Sequence, residues 1–412
     1  MSAFRHRDYR IFWTGALLSN SGSWLINLTL PYVLFQLTGS ALWVGASVAA
    51  QFLPMVLLSP VGGSLADHRP RRRNLLVTQT AMAAVAFALW LVWAVDLRDP
   101  VLLLALVALI GALNGVSMPS WQGFVHDLVP REDLLSAVTM NSLQFNAARA
   151  IGPAVAGVLL ATLGPAWAFG FNAMSFGFVI LALLLVRAGR DAIRVPKTGS
   201  VARGFGSALR YVKAQPGLLM AMMVAATIGF LGNPIFAFTV VFAGEVFDVG
   251  PVALGLLNAA VGIGALAAAP VVGGARWAPS LSRLVTIGLV TYSTALVAFA
   301  LAPGYAVGLV AAVVIGACFL TVIASTNTAT QLIVADSFRG RVLAIRLMTF
   351  TLAAPLGSLA WGAASDIIGP RPTVLIAGLL MGAITAFLVT RQRGVRFSRL
   401  DDPHDVLEPT EY

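Results

Sequence analysis

Polar positions along this chain are confined to short gaps. Between the gaps run apolar blocks of about 20 residues or more, the length a helix needs to cross a ~30 Å hydrocarbon core. The blocks predict helices at 11–36, 43–66, 74–95, 100–123, 135–161, 166–186, 217–243, 252–274, 281–301, 304–330, 341–363 and 370–390. Turn residues punctuate the shortest gaps: Thr38-Gly39-Ser40, Gly164-Pro165, Ala302-Pro303-Gly304 and Gly369-Pro370. The pattern predicts an all-α membrane protein with twelve transmembrane helices. The first block is too long for a signal-peptide core and no A-x-A site follows it, so it reads as a retained helix.

One gap is long. Residues 187–216 divide the chain nearly in half, which predicts an N-terminal segment 1–10, a six-helix bundle over 11–186, a central loop, a second bundle over 217–390, and a tail over 391–412. The end of the central loop, Phe205 to Lys213, spaces apolar residues helically beside basic ones. It reads either as an amphipathic helix on the membrane surface or as a linker. The tail after Phe397 is polar and acidic and reads as disordered. The halves repeat at an offset of 205 residues: Val129 meets Val334, Phe145 Phe350, Ala148 Ala353, Gly152 Gly357, Gly157 Gly362, and Gly164-Pro165 meets Gly369-Pro370. Two like-oriented halves imply a pseudo-two-fold axis along the membrane normal and a substrate path between them.

Composition agrees with the pattern. The chain is 58% hydrophobic and 11% charged, outside the range of an ordinary soluble domain. The net charge of +10 would suggest nucleic acid if it were spread evenly. Instead 24 of the 27 Lys and Arg fall on one set of gaps, including Arg5, Arg69, Arg131, Arg210, Arg283, Arg339, Arg341, Arg346 and Arg391. Only Arg98 and Arg371 fall on the other set, and Arg149 alone is placed deep in a block. The positive-inside rule therefore puts both termini and the central loop in the cytoplasm. Cys318 is the single cysteine, so no intrachain disulfide exists, and the four histidines show no metal-ligand spacing. No P-loop and no nucleophile–base pattern occurs. The chain reads as a non-enzyme without cofactor or metal.

Two motifs carry a resemblance. Gly63-Ser64-Leu65-Ala66-Asp67-His68-Arg69-Pro70-Arg71-Arg72-Arg73 resembles the G-x-L-A-D-R-x-G-R-[KR] loop signature of the major facilitator superfamily, with His68 and Pro70 in place of arginine and glycine. Gly152-Pro153-Ala154-Val155-Ala156-Gly157 resembles the G-P-x-x-G-G motif of its exporters, with Ala156 replacing one glycine. The surroundings, Phe4 to Arg10 and Arg149 to Pro153, are similar to the macrolide-efflux and enterobactin-exporter branch. The resemblance implies that Gly63, Asp67, Arg71 and Arg72 latch the halves on the cytoplasmic face. It also implies that a kink at Gly152, Pro153 and Gly157 biases the resting state. The alternatives are that the arginines only anchor orientation and that the glycines only pack.

Candidate cavity residues follow from polarity at helical spacing. Arg149 near mid-bilayer costs at least ~2.5–3.5 kcal/mol on insertion scales, so it is expected to face a wet cavity or a partner; the alternative is a structural arginine bonded to backbone carbonyls. Asn20, Ser23 and Asn27 line one face of the first helix; Asn114, Ser117 and Trp121 line the fourth; Asn141, Gln144 and Ala148 line the fifth. Asn233, Asn258 and Asn327 are isolated in the second half. Each is alternatively a simple interhelical hydrogen bond. No Asp, Glu or His sits deep, so the coupling residue is not visible; Asp67 and Asp127 are candidates on the inner side and Glu245 on the outer.

The functional expectation is a secondary transporter that exports small amphiphilic molecules, such as a drug, secondary metabolite or siderophore, by alternating access. Proton antiport is implied by the resemblance. Expected partners are a small molecule, protons and the lipid bilayer, not nucleic acid; the sequence sets no oligomeric state and is compatible with a monomer. An importer or uniporter of the same fold, or a non-transporting receptor or assembly factor, is the alternative. One fixed cation without a deep anion predicts neutral or anionic substrates.

Overall fold

The computed structural model describes residues 2–187, 201–272 and 280–390, and every regular element among them is a helix. Six long helices come first: α1 (Arg7–Thr38), α2 (Ala41–His68), α3 (Arg71–Ala94), α4 (Pro100–Asp127), α5 (Leu134–Thr162) and α6 (Pro165–Leu185). A short helix, α7 (Val201–Ala214), precedes six more: α8 (Pro216–Val246), α9 (Pro251–Val272), α10 (Leu281–Ala300), α11 (Tyr305–Ile333), α12 (Arg339–Ile368) and α13 (Pro370–Thr390). Eleven of these are long and apolar enough to cross a membrane. The twelfth, α1, has 32 residues but is more polar, because Ser19, Asn20, Ser21, Ser23 and Asn27 lie along it.

Helix ends differ from the sequence expectation in a consistent way. α1 begins at Arg7, α3 at Arg71 and α12 at Arg339, so the helices continue into the basic flanks. Arginine carries its charge to the interface on a flexible apolar stem, so its presence does not end a helix. The ambiguous end of the central loop is a helix. α7 buries Ala208, Tyr211 and Val212 and exposes Arg210 and Lys213. Tyr211 stacks on Phe338 at 4.7 Å and its hydroxyl accepts from the Ala335 N–H at 3.2 Å. At 14 residues, α7 is too short to span a bilayer. The expected disordered tail lies outside the described residues.

The chain forms two compact units, Met1–Lys197 with Gly250–Ala259, and Thr198–Val249 with Ala260–Tyr412. In the first, α1 packs on α5 and α6, α2 on α4, and α3 on α4 and α6. The α2–α4 approach depends on missing side chains: a Cβ on Gly111 or Gly115 would strike the carbonyl oxygens of Gln51 or Met55. At one end Tyr9, Phe12, Leu75, Phe124 and Leu183 form a core; nearer the other, Ile26, Leu34, Leu89, Leu103 and Phe169 form a second. In the second unit, α8 packs on α12, and α10 on α11 and α13.

The repeat is visible in backbone geometry. Gly164 and Gly369 both have positive φ, 83° and 88°, and each is followed by a proline that opens a helix. A side chain at this φ would be strained, so glycine is required at both. Gly152 of α5 lies against the backbone of Trp24 and Leu25 in α1, and Gly357 of α12 against the backbone of Phe230 in α8. Phe230 and Leu25 are themselves 205 residues apart, so the same crossing recurs in both units.

Candidate substrate and gating site

The crossing of α1 and α5 concentrates the most unusual chemistry of the first unit. Arg149 is the sixteenth residue of α5 and is half-buried. Its guanidinium carbon lies 5.5 Å from the Trp24 ring centroid, within cation–π range. Phe145 packs edge-on against the same indole at 5.6 Å. Three residues past the arginine, Gly152 lets α5 close onto Trp24: an added Cβ would lie 2.9 Å from the Trp24 carbonyl carbon. Pro153 follows inside the helix. Having no N–H, it cannot bond the carbonyl four residues back, which is that of Arg149. Gly157 ends the motif, where a Cβ would sit 2.7 Å from the Pro251 carbonyl oxygen and 2.9 Å from Gly255 Cα.

The other polar candidates divide into several environments. Asn27 accepts from Gln51 Nε2 at 2.7 Å, an interhelical bond between α1 and α2. Asn20 and Asn141 are half-buried and Asn114 is exposed on α4. Ser117 is reached by Gln79 Nε2 at 3.5 Å. Gln144 is only 1% exposed, and neither of its amide atoms has a partner among the described residues. Asn233 closes a π-turn, Ile228–Gly232, by donating its N–H to the Ile228 carbonyl at 2.7 Å. It belongs to the second unit.

The loop after α2 ties its arginines to α4 and α6. Arg71 Nη1 pairs with Asp127 Oδ1 at 3.1 Å and donates to the Gly123 carbonyl at 2.6 Å. Its guanidinium lies in the space a Gly123 side chain would fill. Arg72 Nε donates to the Leu183 carbonyl at 2.7 Å, tying the start of α3 to the end of α6. Asp67 is exposed at the end of α2 and makes no ion pair among the described residues; Gly63 has open space where a Cβ would be. The carboxylate that holds Arg71 is therefore Asp127, from 56 residues downstream. α4 brings its last residue back beside the first turn of α3.

Comparison with known proteins agrees with this architecture. A family model, that of the transmembrane secretion effectors of the major facilitator superfamily, matches residues 1–403. The chain belongs to this family. It is 26% identical over 387 residues to the multidrug efflux pump Tap of Mycolicibacterium fortuitum, covering 90% of this chain and 93% of that one. It is 22% identical over 383 residues to macrolide efflux protein A of Streptococcus pyogenes, covering 90% and 92%. Among solved structures, a D-xylose-proton symporter superposes with a TM-score of 0.74 at 15% identity, covering 95% of this chain and 98% of that one. That likeness concerns the fold alone.

As a major facilitator transporter, the protein is a multi-pass membrane protein and not an enzyme. Within its second unit it holds a charged residue that sequence reasoning grouped with a loop. Arg346 is the eighth residue of α12 and is only 8% exposed. It follows Arg339 and Arg341 so closely that a charge count assigns all three to the flank. The helix expected over 341–363 already contains Arg346, and the start at Arg339 places it two residues further in; the structure adds that its side chain is buried. Trp24 was also missed, because an indole in an apolar block has no sequence signal until α5 brings a guanidinium over it.

Proposed function

We propose that this transporter exports small amphiphilic molecules, neutral or anionic, across the cytoplasmic membrane by alternating access in exchange for protons, with both termini in the cytoplasm. The observation that carries the proposal is Arg149 held over Trp24. A fixed cation beside an aromatic face suits a molecule with an apolar body and one acceptor group: the guanidinium donates a fork of hydrogen bonds and the ring contributes dispersion. A dication meets repulsion there. The names of the relatives, an efflux pump and a macrolide efflux protein, favour export over import.

Asp67 serves as the latch in this scheme. Its exposure leaves it available for another conformation, while Arg71 is already held by Asp127. Asp67→Asn is expected to slow transport severalfold at unchanged abundance, because only the charged form makes strong hydrogen bonds to arginine or helix-start amides. Full transport at normal abundance would remove Asp67 from the mechanism. The proposal as a whole is tested by accumulation of matched neutral, anionic and dicationic compounds in inside-out vesicles, with and without an acid-inside pH gradient. Gradient-driven uptake of the neutral and anionic compounds is expected. Best uptake of dications, or uptake only by right-side-out vesicles, would overturn it.

A further inference from the structure

We infer that Arg346, with Asn327 and Thr326, forms a binding site for the carboxylate or phenolate group of a substrate, a second anion site that rests on the transporter reading and narrows its substrate class. Arg346 sits about 10 Å along α12 from its start, at 1.5 Å per residue, and is more than nine-tenths buried. Its partners all come from α11, and all are neutral. Nη1 donates to Asn327 Oδ1 at 3.2 Å; Nη2 donates to the Ile323 carbonyl at 2.7 Å and to Thr326 Oγ1 at 3.0 Å. Nε is buried and has no partner among the described residues. Asp336, the acid nearest in sequence, is held by Arg339 at 2.6 Å, and no carboxylate among the described residues pairs with Arg346. A guanidinium removed from water with only neutral acceptors lacks the counter-charge that normally offsets its desolvation.

The neighbours are arranged to complete an anion site. A guanidinium only donates, so the Asn327 amide must present its oxygen to Arg346. That orientation directs the Asn327 NH2 away from the guanidinium, and the group makes no hydrogen bond among the described residues. Thr326 points its own hydroxyl proton at the Val322 carbonyl at 2.6 Å, which leaves its oxygen to accept from Arg346. The result is a pre-oriented cation with an unused Nε–H and a neighbouring unused amide donor. This donor set suits an oxyanion oxygen, which accepts one hydrogen bond from the Nε–H and another from the amide. A helix pin alone would need the two Nη donors and no more.

The test is equilibrium binding of radiolabelled salicylate, a small phenolic carboxylate, and of salicylamide, its neutral counterpart, to the full-length protein purified in detergent. The wild type is expected to bind salicylate at least tenfold more tightly than salicylamide. Arg346→Gln should abolish that preference and leave salicylamide affinity within twofold. Arg346→Lys should keep part of the preference, and Asn327→Ala, which leaves the guanidinium in place, should lower salicylate affinity about threefold. Absence of anion preference in the wild type overturns the inference. So does an equal loss for both compounds in Arg346→Gln and Asn327→Ala, the result of a purely structural pin. So does a preference that survives Arg346→Gln and disappears only in Arg149→Ala. Binding is read without transport: an Arg346-dependent preference in a protein whose vesicles accumulate neither compound upholds the site and overturns the export reading.

Discussion

The α1–α5 crossing of the first unit and the α8–α12 crossing of the second are the same joint built with different chemistry. Each is closed by a glycine, Gly152 or Gly357, set against the backbone of the partner helix. At the first joint the partner helix is regular, and the neighbouring residue on α5 is a cation over an indole. At the second the partner helix opens into a π-turn, and the residue equivalent to Arg149 is the buried Ala354. The indole is exchanged as well: Trp361 Nε1 donates to the Phe230 carbonyl at 3.0 Å, and Tyr292 donates to the Gly232 carbonyl at 3.1 Å. Carbonyls made available at a π-turn are thus satisfied by protein side chains in the second joint. The difference separates a joint committed to structure from one that keeps a charged group at its surface.

Exchanging the two chemistries should break this comparison most severely. Ala354→Arg places a cation in a packed crossing and is expected to cost about 3 kcal/mol or more, read as loss of most folded protein from the membrane. Normal abundance would mean that the second joint is as tolerant as the first. Next in size are Gly152→Val and Gly357→Val. Each forces side-chain atoms onto a partner backbone, at about 2 kcal/mol, lowering the apparent melting temperature in detergent by several degrees. Gly152→Val should also reduce transport beyond its effect on abundance, because it displaces Trp24 from Arg149; equal losses in the two variants would make the joints equivalent.

Removing the cation has a smaller effect. Arg149→Ala is expected to lower anion export about tenfold, or about 1.4 kcal/mol, with Arg149→Lys intermediate because it keeps the charge and loses the fork. Intact anion export by Arg149→Ala would strip the first joint of its functional role. Trp361→Phe should be mildest, about 1 kcal/mol for one hydrogen bond, seen as a shift of a few degrees in melting with transport unchanged. A large loss of transport there would place function in the second joint as well.

The long helices and the glycine–proline turns were legible because each leaves a local pattern, while the stretch that forms α7 left helix and linker both open. What escaped the sequence depended on distance or on backbone detail. Asp127 and Arg71 meet only because α3 and α4 are antiparallel neighbours. Arg346 counts with the flanking charges although it lies inside the expected 341–363 helix, and its partners on α11 have no local pattern. The two π-turns of α8, Ile228–Gly232 and Phe242–Val246, share no compositional signature: the first holds only apolar residues and glycines, and the second also holds Glu245. The interhelical hydrogen bond of Asn27 is one of the two readings its sequence leaves open, but its partner, Gln51, has no local signal.

Those two π-turns have a mechanical meaning. Each fits one more residue into a turn than an α-helix does. Moving such a turn along a helix by peristalsis rotates the segment it passes by about 100°, the angle one residue subtends, without breaking the rod. Between the two turns of α8 lies Asn233–Val241, which carries Pro234, Phe236, Phe238 and Thr239. This segment is a short spindle with a bearing at each end. It can exchange one face for another while the ends of α8 stay anchored, a form of motion unavailable to the regular helix that fills the corresponding place in the first half.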